Sequence, residues 1–92
     1  MAQPEPPKDY SKPYTNDQYV ALANKFIGYA NDEGKKTIPT NVQAAFLFAA
    51  ARYTAFMARK VVRPPDDAAF IEDVTKNFRR MLTEQMADKG FL

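Results

Sequence analysis

The sequence predicts an all-α protein, a three-helix antiparallel bundle preceded by a disordered, proline-rich N-terminal tail. Three observations predict it. Apolar residues recur at helical spacing in three separate stretches, no alternating apolar and polar run of the strand type occurs anywhere, and glycine or proline punctuates each gap between the stretches. Ninety-two residues suffice for one small domain. The expected organisation is a tail over 1–14 and a single domain over 15–92.

Residues 1–14 hold four of the seven prolines and show no periodicity. Such a segment buries too little apolar surface to offset the entropy of ordering it. Tyr10 and Tyr14 are the groups that could tack it down, and folding back over the domain is one use for them.

The first helix starts at Thr15. Thr15 with Gln18 three residues on reads as a capping box, each side chain satisfying a free backbone N–H. Tyr19, Leu22, Ala23, Phe26, Ile27 and Ala30 then form one apolar stripe, with Lys25 and Asp32 opposite. Gly34 is placed to end the helix in a left-handed cap.

Thr40 with Gln43 repeats the capping-box signature and opens a second helix running to about Lys60 or Val62. Pro64 and Pro65 stop it, and Pro65 suits the first turn of the next helix. The third helix spans about Asp66 to Lys89. Asp66 and Asp67 complement the dipole at its start, and Phe70, Ile71, Val74, Phe78, Met81 and Leu82 form its stripe. Glu72–Lys76 and Arg80–Glu84 are i,i+4 pairs on the outer face, and Gly90 reads as the terminator. About 75 residues is marginal for a lone core, so modest stability or help from association is expected.

Composition removes several chemistries. The chain has no histidine, no cysteine and one serine, Ser11, which excludes a Ser-His-Asp triad, a Cys-His pair and any imidazole or thiolate metal site. Asp66, Asp67, Glu72 and Asp73 lie on different helix faces and share no loop, so a hard-metal site is not expected. No catalytic residue, metal or cofactor is expected, although a carboxylate raised by burial could still serve an enzyme. Zero cysteines and an N-terminus without an apolar core point to a cytoplasmic protein. The longest apolar stretch, Val42 to Ala58, is interrupted by Arg52 and is shorter than the roughly 20 residues of a membrane span.

The formal charge is +2, unevenly spread. Between Gly34 and Pro65 stand Lys35, Lys36, Arg52, Arg59, Lys60 and Arg63 and no acidic residue, so the middle carries +6 and the remainder −4. Arg59, Lys60 and Arg63 are candidate anion contacts, and a weak nucleic-acid or anion binder is the alternative function. A cationic helix C-terminus complements the dipole without any ligand, and no recognised nucleic-acid motif accompanies the cluster.

The second helix carries the main functional expectation. On a helical wheel one face collects Val42, Phe46, Ala49, Tyr53, Phe56 and Met57, enough to pack on helices one and three. A second face collects Ala44, Leu47, Ala51, Ala55 and Ala58, with Phe48 on its border. That surplus makes Ala44, Leu47, Phe48, Ala51, Ala55 and Ala58 a candidate interaction face, for a homodimer or another protein. Alanine is also the best helix former, so the same residues could simply tolerate water. An alanine side left open in a solitary copy, with nothing resting on it, removes this footing.

Arg52 lies deep in the most apolar helix and needs oxygen partners there, which Asn24 and Asn31 of helix one could supply. A partly buried structural arginine is the first reading of Asn24, Asn31 and Arg52, and an anion or carboxylate site the second. Asp67 and Gln85 fall on the centreline of helix three's stripe, near the ends where it meets solvent, with a partner interaction as the second reading.

Phe26-Ile27-Gly28-Tyr29-Ala30-Asn31, Ala49-Ala50-Ala51-Arg52-Tyr53-Thr54-Ala55-Phe56 and Phe78-Arg79-Arg80-Met81-Leu82 together resemble a family of short bacterial proteins known only as a domain of unknown function. The resemblance covers about Asp17 to Asp88. It implies a small helical protein and imports no activity. By matching position it singles out Asn31, Arg52 and Phe56. Family members often carry Asn where this chain has Gln85, and the proline-rich start is not part of the pattern.

Overall fold

The structure is a computed structural model, and it describes residues 12–88 and residue 90. Its elements are α1 (Asn16–Gly34), α2 (Pro39–Met57), a π-helical turn continuing α2 (Ala58–Val62) and α3 (Asp67–Ala87). No strand occurs among the described residues. Most of the N-terminal segment, residues 1–11 including Tyr10, lies outside them.

The chain divides into two compact units, Met1–Ala49 and Ala50–Leu92, with the boundary inside α2.

The first unit holds α1 and the N-terminal half of α2. Both arms of the expected capping box are made. The Thr15 N–H donates to Gln18 Oε1 at 2.8 Å, and the Gln18 N–H donates to Thr15 Oγ1 at 3.2 Å. Just before it, Tyr14 packs edge-on against Tyr19 with ring centroids 5.7 Å apart, a favourable aromatic geometry. The far end of α1 differs from expectation. Gly34 stays helical, and Lys35 caps in the ordinary right-handed region at φ −77°; its N–H donates to the Asp32 carbonyl at 3.3 Å, and the Lys36 N–H donates to the Glu33 carbonyl at 3.0 Å. No described glycine has positive φ, so this turn does not use glycine's extra freedom. Ion pairs Lys35–Asp32 (3.9 Å) and Lys36–Glu33 (3.4 Å) accompany the turn.

α2 starts one residue before Thr40, so Thr40 lies inside the first turn and caps nothing. Pro39 takes the first position, where a missing N–H costs no helical bond and φ is already suited. Thr37 and Asn41 brace the entry instead. The Asn41 side-chain amide donates to Thr37 Oγ1 at 2.9 Å, and the Asn41 N–H donates to the Ile38 carbonyl at 3.0 Å.

The second unit holds the rest of α2, the corner after it and α3. The α2 rod reaches Val62, within the expected end, but its last five residues wind as a π-helix. The bond that closes this wider turn runs from the Arg63 N–H to the Ala58 carbonyl, five residues back, at 2.8 Å. Arg63 pays for the turn with φ 50° and ψ 59°, the left-handed region that a side chain disfavours. Pro64 and Pro65 follow, and Pro65 stays outside α3, which begins after Asp66. The Asp66 carboxylate accepts from the Ala68 N–H at 3.0 Å as N-cap, and Asp67 follows in the first turn. The predicted pairs form on α3, Lys76–Glu72 at 3.8 Å and Arg80–Glu84 at 3.4 Å. α3 ends at Ala87, and Asp88, extended at ψ 118°, takes the terminating place assigned to Gly90.

Among the described residues only Ala58 is buried, at 6% exposure. Most positions expected to form a core stand exposed, among them Phe26 and Ile27 on α1, Phe46 and Phe56 on α2, and Phe78 and Leu82 on α3, while Ala30, Val42, Met57 and Phe70 are half-buried.

Candidate functional site

α2 carries the residues singled out from the sequence. Leu47 and Phe48 are exposed, Phe48 at 68%, and Ala44, Ala51 and Ala55 are exposed with them. Ala58 departs from this group. It is buried at 6% exposure, at the start of the π-helical turn, and offers no surface to a partner.

A surplus requires one face of α2 to be covered and the other left over. The structure encloses neither face beyond Ala58, and half-buries Val42 and Met57 on the first. Phe46, Tyr53 and Phe56 on the presumed packing face are exposed along with Leu47 and Phe48. The contrast between a packed face and a spare one is therefore missing, and the alanine side stands open in the lone chain. A docking role cannot rest on that contrast. What the structure offers in its place is broader: apolar stripes on every helix without an enclosed core among the described residues.

Arg52 corrects the expectation of a partly buried arginine. It is exposed, and its side chain makes no hydrogen bond or ion pair among the described residues. Exposure explains how an arginine sits in an alanine-rich helix, since water solvates the guanidinium and no buried oxygen partner is needed. Asn24 is exposed on α1 in the same way. Asn31 lines an open cleft of about 360 Å³ in the first unit, where the end of α1 and the start of α2 diverge. Ala30, Val42 and Phe46 form its apolar walls, and Asn31, Gln43 and Lys35 its polar rim.

The basic end of α2 is also changed. Arg59 is already engaged. Its guanidinium forks onto the Asp67 carboxylate, with Nη1 to Oδ1 at 2.8 Å and Nη2 to Oδ2 at 2.6 Å. Two parallel, charge-assisted bonds fix direction as well as distance. These bonds, and then the charge of Arg59, hold the Asp67 carboxyl below the usual carboxylate range. The same contacts, in the same order, push the Arg59 guanidinium above its ordinary value. Of the three candidate anion contacts, Lys60 and Arg63 make no ion pair among the described residues, while Arg59 is neutralised within the chain.

This pair was not read from the sequence. The signal was Asp67 itself, a charge on the centreline of an apolar stripe. Its partner lies eight residues back, across a turn whose path residue spacing does not give. Gln85, the other residue on that centreline, is exposed near the end of α3, as expected of a position meeting solvent.

No group of three or more acidic residues able to hold a metal ion occurs among the described residues. No described helix is long and apolar enough to cross a membrane.

Residues 19–89, which include all of α2, the corner and α3, match the model of a family described as "Protein of unknown function (DUF3144)". The chain belongs to that family. Membership in DUF3144 covers the exposed stripes, the cleft and the Arg59–Asp67 pair alike, and brings no activity with it. No curated protein and no solved structure matches the chain.

Proposed function

We propose that this protein is a non-catalytic helical interaction module whose apolar stripes are covered by a second copy of the chain, with α2 as the central contact. One observation supports the reading above all others: Ala58 is the single buried residue among those described, while large apolar side chains stand exposed on each helix. Burying apolar surface, at about 25 cal/mol per Å², is what offsets the entropy lost on ordering a chain. In proteins most helical stability comes from packing an apolar face rather than from propensity, and these helices of 19 to 21 residues leave theirs largely in water. Such rods gain from a surface that takes their stripes out of water.

A second copy is the occupant the charge pattern favours. The stretch from Gly34 to Pro65 carries six cations and no anion, and the rest of the chain has an excess of four anions. A copy can set its acidic segments against its neighbour's basic middle. Twofold homodimers are also the commonest closed assembly. The lack of histidine and cysteine supports a role without catalysis, and zero cysteines suit a reducing, cytoplasmic setting. The anion-binding alternative loses weight because Arg59 is already paired.

Size-exclusion chromatography with light scattering, run from dilute to concentrated samples, tests the proposal. The expected mass rises from the 10.4 kDa of one chain toward two. Leu47→Glu and Ala51→Glu each weaken the dimer roughly a hundredfold, the scale of an unpaired charge forced into an interface. A single-chain mass at every concentration, unchanged in both variants, overturns it. Capture of a different protein by a chain that stays monomeric overturns the choice of a second copy.

A further inference from the structure

The corner between α2 and α3 gathers several independent features within ten residues, Ala58 to Asp67, all belonging to the second unit. Ala58, the one buried residue among those described, starts the π-helical turn. The Arg63 N–H closes that turn on the Ala58 carbonyl, and Arg63 is held at positive φ. Two prolines restrict the link that follows, and Asp66 caps α3. Arg59, from the turn, then reaches across to Asp67 in the first turn of α3 with both fork nitrogens.

From this convergence we infer that the Arg59–Asp67 pair is a conformational clasp that fixes the angle at which α3 leaves α2. Exposed ion pairs between mobile side chains usually achieve little, because ordering both partners costs entropy. Here the intervening chain is already restricted by a left-handed residue and two fixed proline φ angles, so little further closure entropy is lost. The bidentate geometry selects an orientation, which a single contact does not. The clasp therefore acts on direction: it sets how the α3 stripe, with Phe78 and Leu82, is presented relative to the exposed end of α2. Arg59 and Asp67 are positioning residues that need touch no partner.

The bearing of the clasp on association rests on the function proposed above. The clasp itself is intramolecular, so the two claims fail separately. The chain has no cysteine, so Ala50→Cys on α2 and Asn77→Cys on α3 place two spin labels in the full-length protein without further changes. Labelled chains are diluted with unlabelled ones so that only within-chain distances are read. The parent gives a narrow distance distribution. Arg59→Gln and Asp67→Asn each broaden it roughly twofold or more, with helical circular dichroism retained, because the orientation-fixing bonds are gone. Should Asp67→Asn fray α3 through loss of its first-turn charge, Arg59→Gln decides, since it leaves the start of α3 intact. A distribution as narrow in Arg59→Gln as in the parent overturns the clasp.

Discussion

The two turns that join the helices are built on opposite plans. Between α1 and α2 the chain passes through Lys35–Ile38 without a residue at positive φ, and the helices open onto a cleft of about 360 Å³ rimmed by Asn31, Gln43 and Lys35. Between α2 and α3 the chain adopts a left-handed residue, widens its helix to the π form, encloses Ala58 and closes a bidentate ion pair. The first turn is relaxed and open, the second strained and locked. Strain is retained only where surrounding contacts over-determine it, so the second turn is where the chain specifies its own geometry.

Enlarging side chains breaks the comparison most directly. Ala58→Leu forces three further carbons into the one buried position among the described residues and lowers stability by about 1–3 kcal/mol, the usual cost of overpacking. Ala44→Leu, on the exposed part of α2, leaves the unfolding midpoint of dilute protein nearly unchanged. Equal losses in urea denaturation at the two positions would falsify the distinction between a closed corner and an open rod.

Glycine exchanges sharpen it at smaller amplitude. Gly28 is helical in α1, and nothing lies within 4 Å of where a Cβ would stand. Gly28→Ala therefore raises stability by about 0.8–1 kcal/mol through helix propensity alone. A loss in its place, seen by thermal melting, shows that another surface rests on that face of α1. The corner asks for the reverse exchange. Arg63→Gly relieves the positive φ at the cost of a more flexible unfolded chain, and the balance is a gain of about 0.5 kcal/mol. No shift, or a fall, in the urea midpoint means that the arginine side chain contributes more than its backbone costs.

Local signals were the legible part of the sequence. Thr15 with Gln18 fixed the start of α1, and i,i+4 spacing gave both ion pairs on α3, because each depends only on residues within one helical turn. Thr40 with Gln43 carried the same signature and misled, since Pro39 competes for the first position and Thr37 supplies the brace. Gly34 suggests a left-handed cap, yet the only described residue with that backbone is Arg63, which no glycine rule would find. The partners of the candidate site were the least legible. Periodicity states that a stripe is apolar without stating that anything within the chain covers it, and so Phe46 and Phe56 stand as exposed as Leu47. Arg52 was assigned to an interior by its alanine neighbours, but burial depends on what packs against a helix, which its own composition does not fix.

Ala58 also sets where slow deuterium labelling can begin. Amides in helices whose side chains are wet exchange through local fraying, with little dependence on global unfolding. In a lone chain, the longest-lived protons are expected near the Arg63 amide, which bonds to the carbonyl of Ala58, the one buried residue among those described. Protection that spreads from there along α2 as concentration rises would trace the growth of a shared interior, residue by residue.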